Sequence, residues 1–174
     1  MKVTHEDKLR FLKKHKADAL AHSGRTLLEH LTGTHNILKE WHRREAVCDA
    51  GLFHSIYGTE HYPNVTIEPS FRFVVKRLIG EEAERLAWIF GVLERDSFDQ
   101  NISRRAGYSV IDRTSGQSIP LTSTEWLDLV DISFANTLES MPHISWLQRK
   151  RCRKYLEQFG FIAPAAAKEA LEKI

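Results

Sequence analysis

TLLEHLTGTHNILKEW, residues 26–41, decides the fold. Leu27, Leu31, Thr34, Leu38 and Trp41 recur at spacings of three and four, which gives a helix one buried face. Thr26 followed by Glu29 makes a capping box that starts this helix, and the pattern carries it to about residue 43. Upstream, HSGRT (22–26) breaks the chain at Gly24, and a first helix is expected over residues 6–20. Downstream, residues 45–57 read as a third helix. Its face of Val47, Ala50, Gly51 and His54 is small enough for another helix to come close.

The same period returns over residues 71–78 and 81–93. A second capping box, Thr122 with Glu125, opens a helix to about residue 140. A long helix over 144–159 and a short Ala-rich one close the chain. Between residues 97 and 121 the helical period is lost. Tyr108 and Val110 alternate with small residues, Ser115-Gly116 can turn the chain, and Pro120 limits the returning segment to an edge strand. The sequence therefore predicts an all-α fold of seven or eight helices, with a small β-hairpin near residues 108–121.

A chain of 174 residues suits one domain, residues 1–174. With 42% hydrophobic and 28% charged residues it can build a core and is not of disordered composition. A net charge of +2 argues against a nucleic-acid partner. The basic cluster Arg149, Lys150, Arg151, Arg153 and Lys154 reads as a solvated helix face. Cys48 and Cys152 have no zinc spacing and read as free thiols in a reducing, cytoplasmic setting. No signal peptide and no membrane span is legible. Trp126 and Trp146 read as core aromatics.

Three polar residues fall on apolar faces: His30, His54 and Asp131. Asp131 has Leu127, Phe134, Ala135 and Leu138 around it at helical spacing. A buried carboxylate costs several kcal/mol, as an order of magnitude, unless it is paired or binds a cation. Two imidazoles and a carboxylate from three helices can form the first shell of a divalent metal. Alternatively, each histidine is an ordinary core residue, and Asp131 pairs with Arg25, Arg77 or a helix N-terminus. Ser23, Arg25, Tyr57, Thr59 and Glu60 are polar and flank the region. Arg25 can clamp a phosphate or carboxylate bidentately, or serve structurally by pairing with Glu29 or Asp131. His22 and His35 are further candidates, with His35 expected to face solvent.

The order of these residues resembles the HD-domain superfamily of helical metal-dependent phosphohydrolases. EHLTGTHNIL (29–38) looks like its early histidine helix, AGLFHSIYGTE (50–60) like its His-Asp element, and LVDISFANTLE (129–139) like its distal aspartate helix. IGEEAERLAWIF (79–90) resembles a helix of the hydrolase domain in stringent-response alarmone enzymes. HSGRTLLEHLTGT together with AGLFHSIYGTE is more closely similar to an uncharacterised, mostly bacterial family that looks like an HD offshoot, and this likeness spans nearly the whole chain. The resemblance implies an HD-domain-like helical bundle and a divalent ion (Mn, Fe, Co or Zn) on His30, His54 and Asp131. Position 55 is serine where the superfamily carries the aspartate of its pair. The metal then binds with water or another side chain, or takes a ligand from Glu60 or His61, or has been lost to leave a binding pocket.

The function implied is metal-dependent hydrolysis of a small phosphate ester or nucleotide, with Glu60 or a histidine moving protons and Arg25 holding the anion. The alternatives are a small-molecule-binding or regulatory module without hydrolysis, and an iron-dependent oxygenase.

Overall fold

The computed structural model describes residues 3–22, 24–163 and 165–172, except for the side chain of Leu171. Ser23 therefore lies outside the described residues. The fold is mainly α-helical. The first helix, α1 (His5–Lys14), opens on a capping box between Thr4 and Asp7. It is shorter than the sequence predicts, because Lys16 takes a left-handed turn at φ 63° and the backbone N–H of Ala17 closes back on Leu12. Two short strands, β1 (Ala21–His22) and β2 (Arg25–Thr26), pair antiparallel around Gly24 at φ 81°.

The expected capping box of Thr26 and Glu29 starts α2 (Leu27–Glu40). It is followed by α3 (Glu45–Phe53), α4 (Arg72–Ile79) and α5 (Glu81–Val92). A short α6 (Arg95–Asp99), continued by a 3-10 turn, occupies ground where no helix was expected. Five residues are too few to display a period. The expected hairpin is present as β3 (Ser109–Ile111) and β4 (Ser118–Pro120), turned by an Asp112 side chain that accepts from Thr114 and Ser115. The second predicted capping box opens α7 (Ser123–Ser140), and α8 (Trp146–Gln158) and α9 (Ala165–Glu172) follow.

The central layer is α2 against α3 and α7, with α5 behind α3. One apolar cluster gathers Leu12, Leu27, Leu31, Phe53 and Val75 between α1, α2, α3 and α4. The larger one gathers Phe90, Phe98, Trp126, Phe134 and Phe159 among α5, α6, α7 and the segment after α8. Gly51 lets the Leu38 side chain lie against α3, as its small face suggests. Gly91 is tighter, since a Cβ there would stand 2.9 Å from the Gly58 carbonyl oxygen and 3.2 Å from the Tyr57 Cβ. Backbone cannot yield as a side-chain tip can. Gly91→Ala is therefore expected to cost about 1–3 kcal/mol, read as a lower midpoint in urea denaturation.

Two further expectations are corrected. Trp146 is 70% exposed, with Lys150 over its ring, because the first turn of α8 projects beyond the bundle. His35 is buried: its Nδ1 donates to the Cys48 carbonyl at 3.0 Å and its ring stacks on His5. Cys48 and Cys152 are both free thiols. Among the described residues, no helix is long and apolar enough to cross a membrane.

Candidate functional site

His30 projects from the first turn of α2 and His54 caps the C-terminus of α3; both are fully buried. Their Nε2 atoms face each other at 3.2 Å. The other nitrogen of each ring is already committed. His54 Nδ1 lies 2.7 Å from the Gly51 carbonyl oxygen, which can only accept, so the proton is on Nδ1. His30 Nδ1 meets a Glu139 carboxylate oxygen, and Arg25 closes on the other carboxylate oxygen. Burial works to raise the Glu139 pKa, but the hydrogen bonds from His30 and Arg25 overcome it and hold the carboxyl below its ordinary range. Glu139 is thus ionised, and it fixes the His30 proton on Nδ1 as well.

Both Nε2 atoms therefore present lone pairs to one another. Asn136 brings its Oδ1 to 3.1 Å from His54 Nε2, adding a third acceptor. Turning the Asn136 amide over would give His54 a donor, yet would leave His30 Nε2 facing a lone pair. Only a positive centre relieves this: a proton shared by the two rings, or a metal ion. Burial is the largest cause that pushes the His54 pKa down to about 3, so His54 is not itself the protonated ring at neutral pH.

His22, at the end of β1, stacks on His30 with ring centroids 3.9 Å apart, and the Tyr62 ring lies tilted beside it at 4.8 Å. Burial lowers the His22 pKa to about 4. Among the described residues, its buried Nδ1 finds no hydrogen-bond partner. A cavity of about 400 Å³ opens beside these rings, lined by His22, Ser55, Thr59, Tyr62, Arg95 and Asn136 among others.

The three residues expected to share a metal do not all meet. His30 and His54 come together, but Asp131 pairs with Arg43, whose Nε lies 2.8 Å from Oδ2 and whose Nη2 donates to Oδ1 at 3.3 Å. Eight residues at a rise of about 1.5 Å set Asp131 about 12 Å along α7 from Glu139, the carboxylate that does reach a histidine. Burial outweighs Arg43 and raises the Asp131 pKa to about 6. Among the described residues, no three His, Cys, Asp or Glu side chains converge as a metal-ligand set.

The two residues expected to carry catalysis are also placed otherwise. Arg25 is held by Glu139, donating to its backbone carbonyl at 3.3 Å as well as pairing with its carboxylate, so it is not free to clamp a substrate. Glu60 is exposed, and its carboxylate accepts the Arg95 backbone N–H at 2.7 Å, which caps α6 and leaves no contact with the histidine pair. Of the flanking polar residues, Tyr57 donates to Glu84 at 3.1 Å in the core, while Ser55 and Thr59 do line the cavity.

Sequence reasoning misses Glu139, Asn136 and Arg95. Glu139 looks like an ordinary solvated residue at the end of α7. One signal was available: Gly33, one turn after His30, is where a Cβ would run into the Glu139 side chain. A glycine inside a helix costs about 1 kcal/mol against alanine, and here it makes room for the carboxylate.

Neither a curated protein nor a solved structure matches the chain. Over residues 11–95, which include His30, His54, Ser55 and Arg95 but neither Asn136 nor Glu139, the chain is similar to a domain of unknown function, DUF6817.

Proposed function

We propose that the chain is an HD-like hydrolase of a small phosphate ester, with a divalent metal ion held by His30 Nε2 and His54 Nε2 and supported by Asn136 Oδ1. One observation carries this reading: two buried imidazoles bring their Nε2 atoms to 3.2 Å of each other, with both remaining nitrogens tied as donors. A carboxylate behind a ligating histidine is a recurrent device for fixing its tautomer, and Glu139 stands in that relation to His30. Two imidazoles with an amide oxygen suit zinc, iron, cobalt or manganese. Such an ion, when bound, polarises a phosphoryl oxygen and makes a bound water acidic. The chain's own part is to orient. Glu139 and the Gly51 carbonyl aim the two rings, Phe90 closes one side of His54, and the cavity admits a small substrate.

Metal loading measured by elemental analysis and titration tests this. About one ion per chain is expected, with affinity lowered about 100-fold or more in His54→Gln and about unchanged in Asp131→Asn. Failure to bind any of the four metals would reject the reading. A second reading, a binding module without metal, is favoured by the lack of a carboxylate at the facing nitrogens, since Ser55 is neutral and Asp131 is engaged by Arg43. It expects ligand-induced stabilisation in the presence of chelator and no hydrolysis.

A further inference from the structure

The cavity beside the histidine pair does not stand alone. A second cavity of about 430 Å³ adjoins it, and the two share His61, Arg95 and Asn136 as walls. Arg95 is held in this shared wall by contacts other than a close ion pair, although Asp99 of the same cavity feels its charge. Its guanidinium lies 5.4 Å from the Phe90 ring centroid and 5.5 Å from that of Phe98, and Nη1 donates to Ser133 Oγ at 3.4 Å. Its backbone is fixed by Glu60. Arg25, Arg43, Arg44, Arg72 and Arg85 each close on a carboxylate. Among the described residues, Arg95 forms no such ion pair. A half-buried guanidinium stacked on aromatic faces and aimed at open space is suited to a planar, bidentate oxyanion contact.

The second cavity differs in character from the first. Asp96, Asp99, Ser133 and Thr137 supply acceptors along it, and the Tyr155 hydroxyl donates to Asp99 at 2.9 Å. The exposed Arg151 is its other cation. Such a wall favours groups that donate hydrogen bonds, namely hydroxyls and amines.

We infer that Arg95 anchors one two-part ligand across both cavities: an oxyanion, phosphate or carboxylate, on the guanidinium, and a hydroxyl- or amine-bearing arm in the second cavity against Asp96 and Asp99. The inference narrows the ligand of the proposed site but needs no metal there. Its test is therefore run in chelator, where loss of the metal-dependent reading leaves it standing or falling by itself.

Titration calorimetry with ribose 5-phosphate, gluconate and neutral sorbitol separates the two oxyanions from the uncharged arm. At least one of the anions is expected to bind the wild-type chain while sorbitol does not. Arg95→Met, which keeps the apolar stem, is expected to weaken that anion about tenfold or more, and Arg95→Lys by less. Failure of both anions to bind wild type, or equal binding by Arg95→Met, overturns the inference. Should Arg95→Met not fold, Asp99→Asn gives a second reading. It is expected to weaken the bound polyol anion about threefold or more while inorganic phosphate is unaffected, and an unchanged polyol anion overturns the assignment of the arm.

Discussion

Glu139→Ala is expected to lower stability by about 3–5 kcal/mol, the cost of leaving buried charge without its partner. The carboxylate serves two residues at once. Arg25 pairs with one oxygen and the fully buried His30 with the other, and the Glu139 side chain is only 5% exposed. Alanine would leave His30 without an acceptor and Arg25 with only the backbone carbonyl at position 139, in a space that Gly33 keeps open for the carboxylate. For a domain of this size the loss corresponds to a fall in Tm of roughly 6–20 °C. Glu139→Gln keeps the volume and one acceptor, so it is expected to lose about half as much. Combining Glu139→Ala with Arg25→Met should cost clearly less than the two single changes added, because the second removes a charge that the first has stranded. Thermal and urea denaturation of the wild type and these four variants measure this. A loss below about 1 kcal/mol in Glu139→Ala would mean that the buried pair is not formed.

In metal-free protein, acid is expected to weaken the fold through His54 while Asp131 partly conceals the effect. His54 has a folded pKa of about 3 against an ordinary 6.5, so between those values the unfolded chain binds a proton that the folded chain refuses. Its contribution is complete above pH 6.5 and is lost as pH falls, in all about 5 kcal/mol by pH 3. Burial gives His22 the same sign, with a folded pKa of about 4. Asp131 works the other way. Its folded pKa of about 6 against an ordinary 3.8 means that the folded chain holds the extra proton, and stability is lost as pH rises through that window. Between pH 6 and 4 these two histidines and Asp131 thus act in opposite directions. Asp131→Asn removes the opposing contribution and is expected to steepen the slope by about 1.4 kcal/mol per pH unit. Urea midpoints at half-unit intervals from pH 4 to 8, in chelator, read this directly. An unchanged slope in the variant would place the Asp131 pKa near its ordinary value.

Periodicity made the helices legible wherever they were long. Leu27, Leu31, Thr34 and Leu38 show one face of α2, and Thr26 with Glu29 and Thr122 with Glu125 mark where α2 and α7 begin. The hairpin was legible from Ser115-Gly116 and from Pro120 at an edge position. His30 and His54 stood out because an imidazole on an apolar face is unusual whatever surrounds it. Their partners did not stand out, because pairing across α2 and α7 depends on rotation and height that local spacing does not carry. Asp131 sat among apolar neighbours and drew attention, yet Arg43, in the turn after α2, answers it. Glu139 and Asn136 sat one turn from a helix end, where polar residues are ordinary, and Arg95 began a helix too short to show a pattern.

The pairing of His30 with Glu139 joins positions 109 residues apart. Closing so long a loop is among the costlier entropic steps in folding such a chain. Anything seated between the facing rings and Asn136 would therefore act as a clasp on the whole polypeptide, holding its early helices to α7. Occupancy and global unfolding would then be one equilibrium, with the imidazole protons reporting whether the clasp is shut.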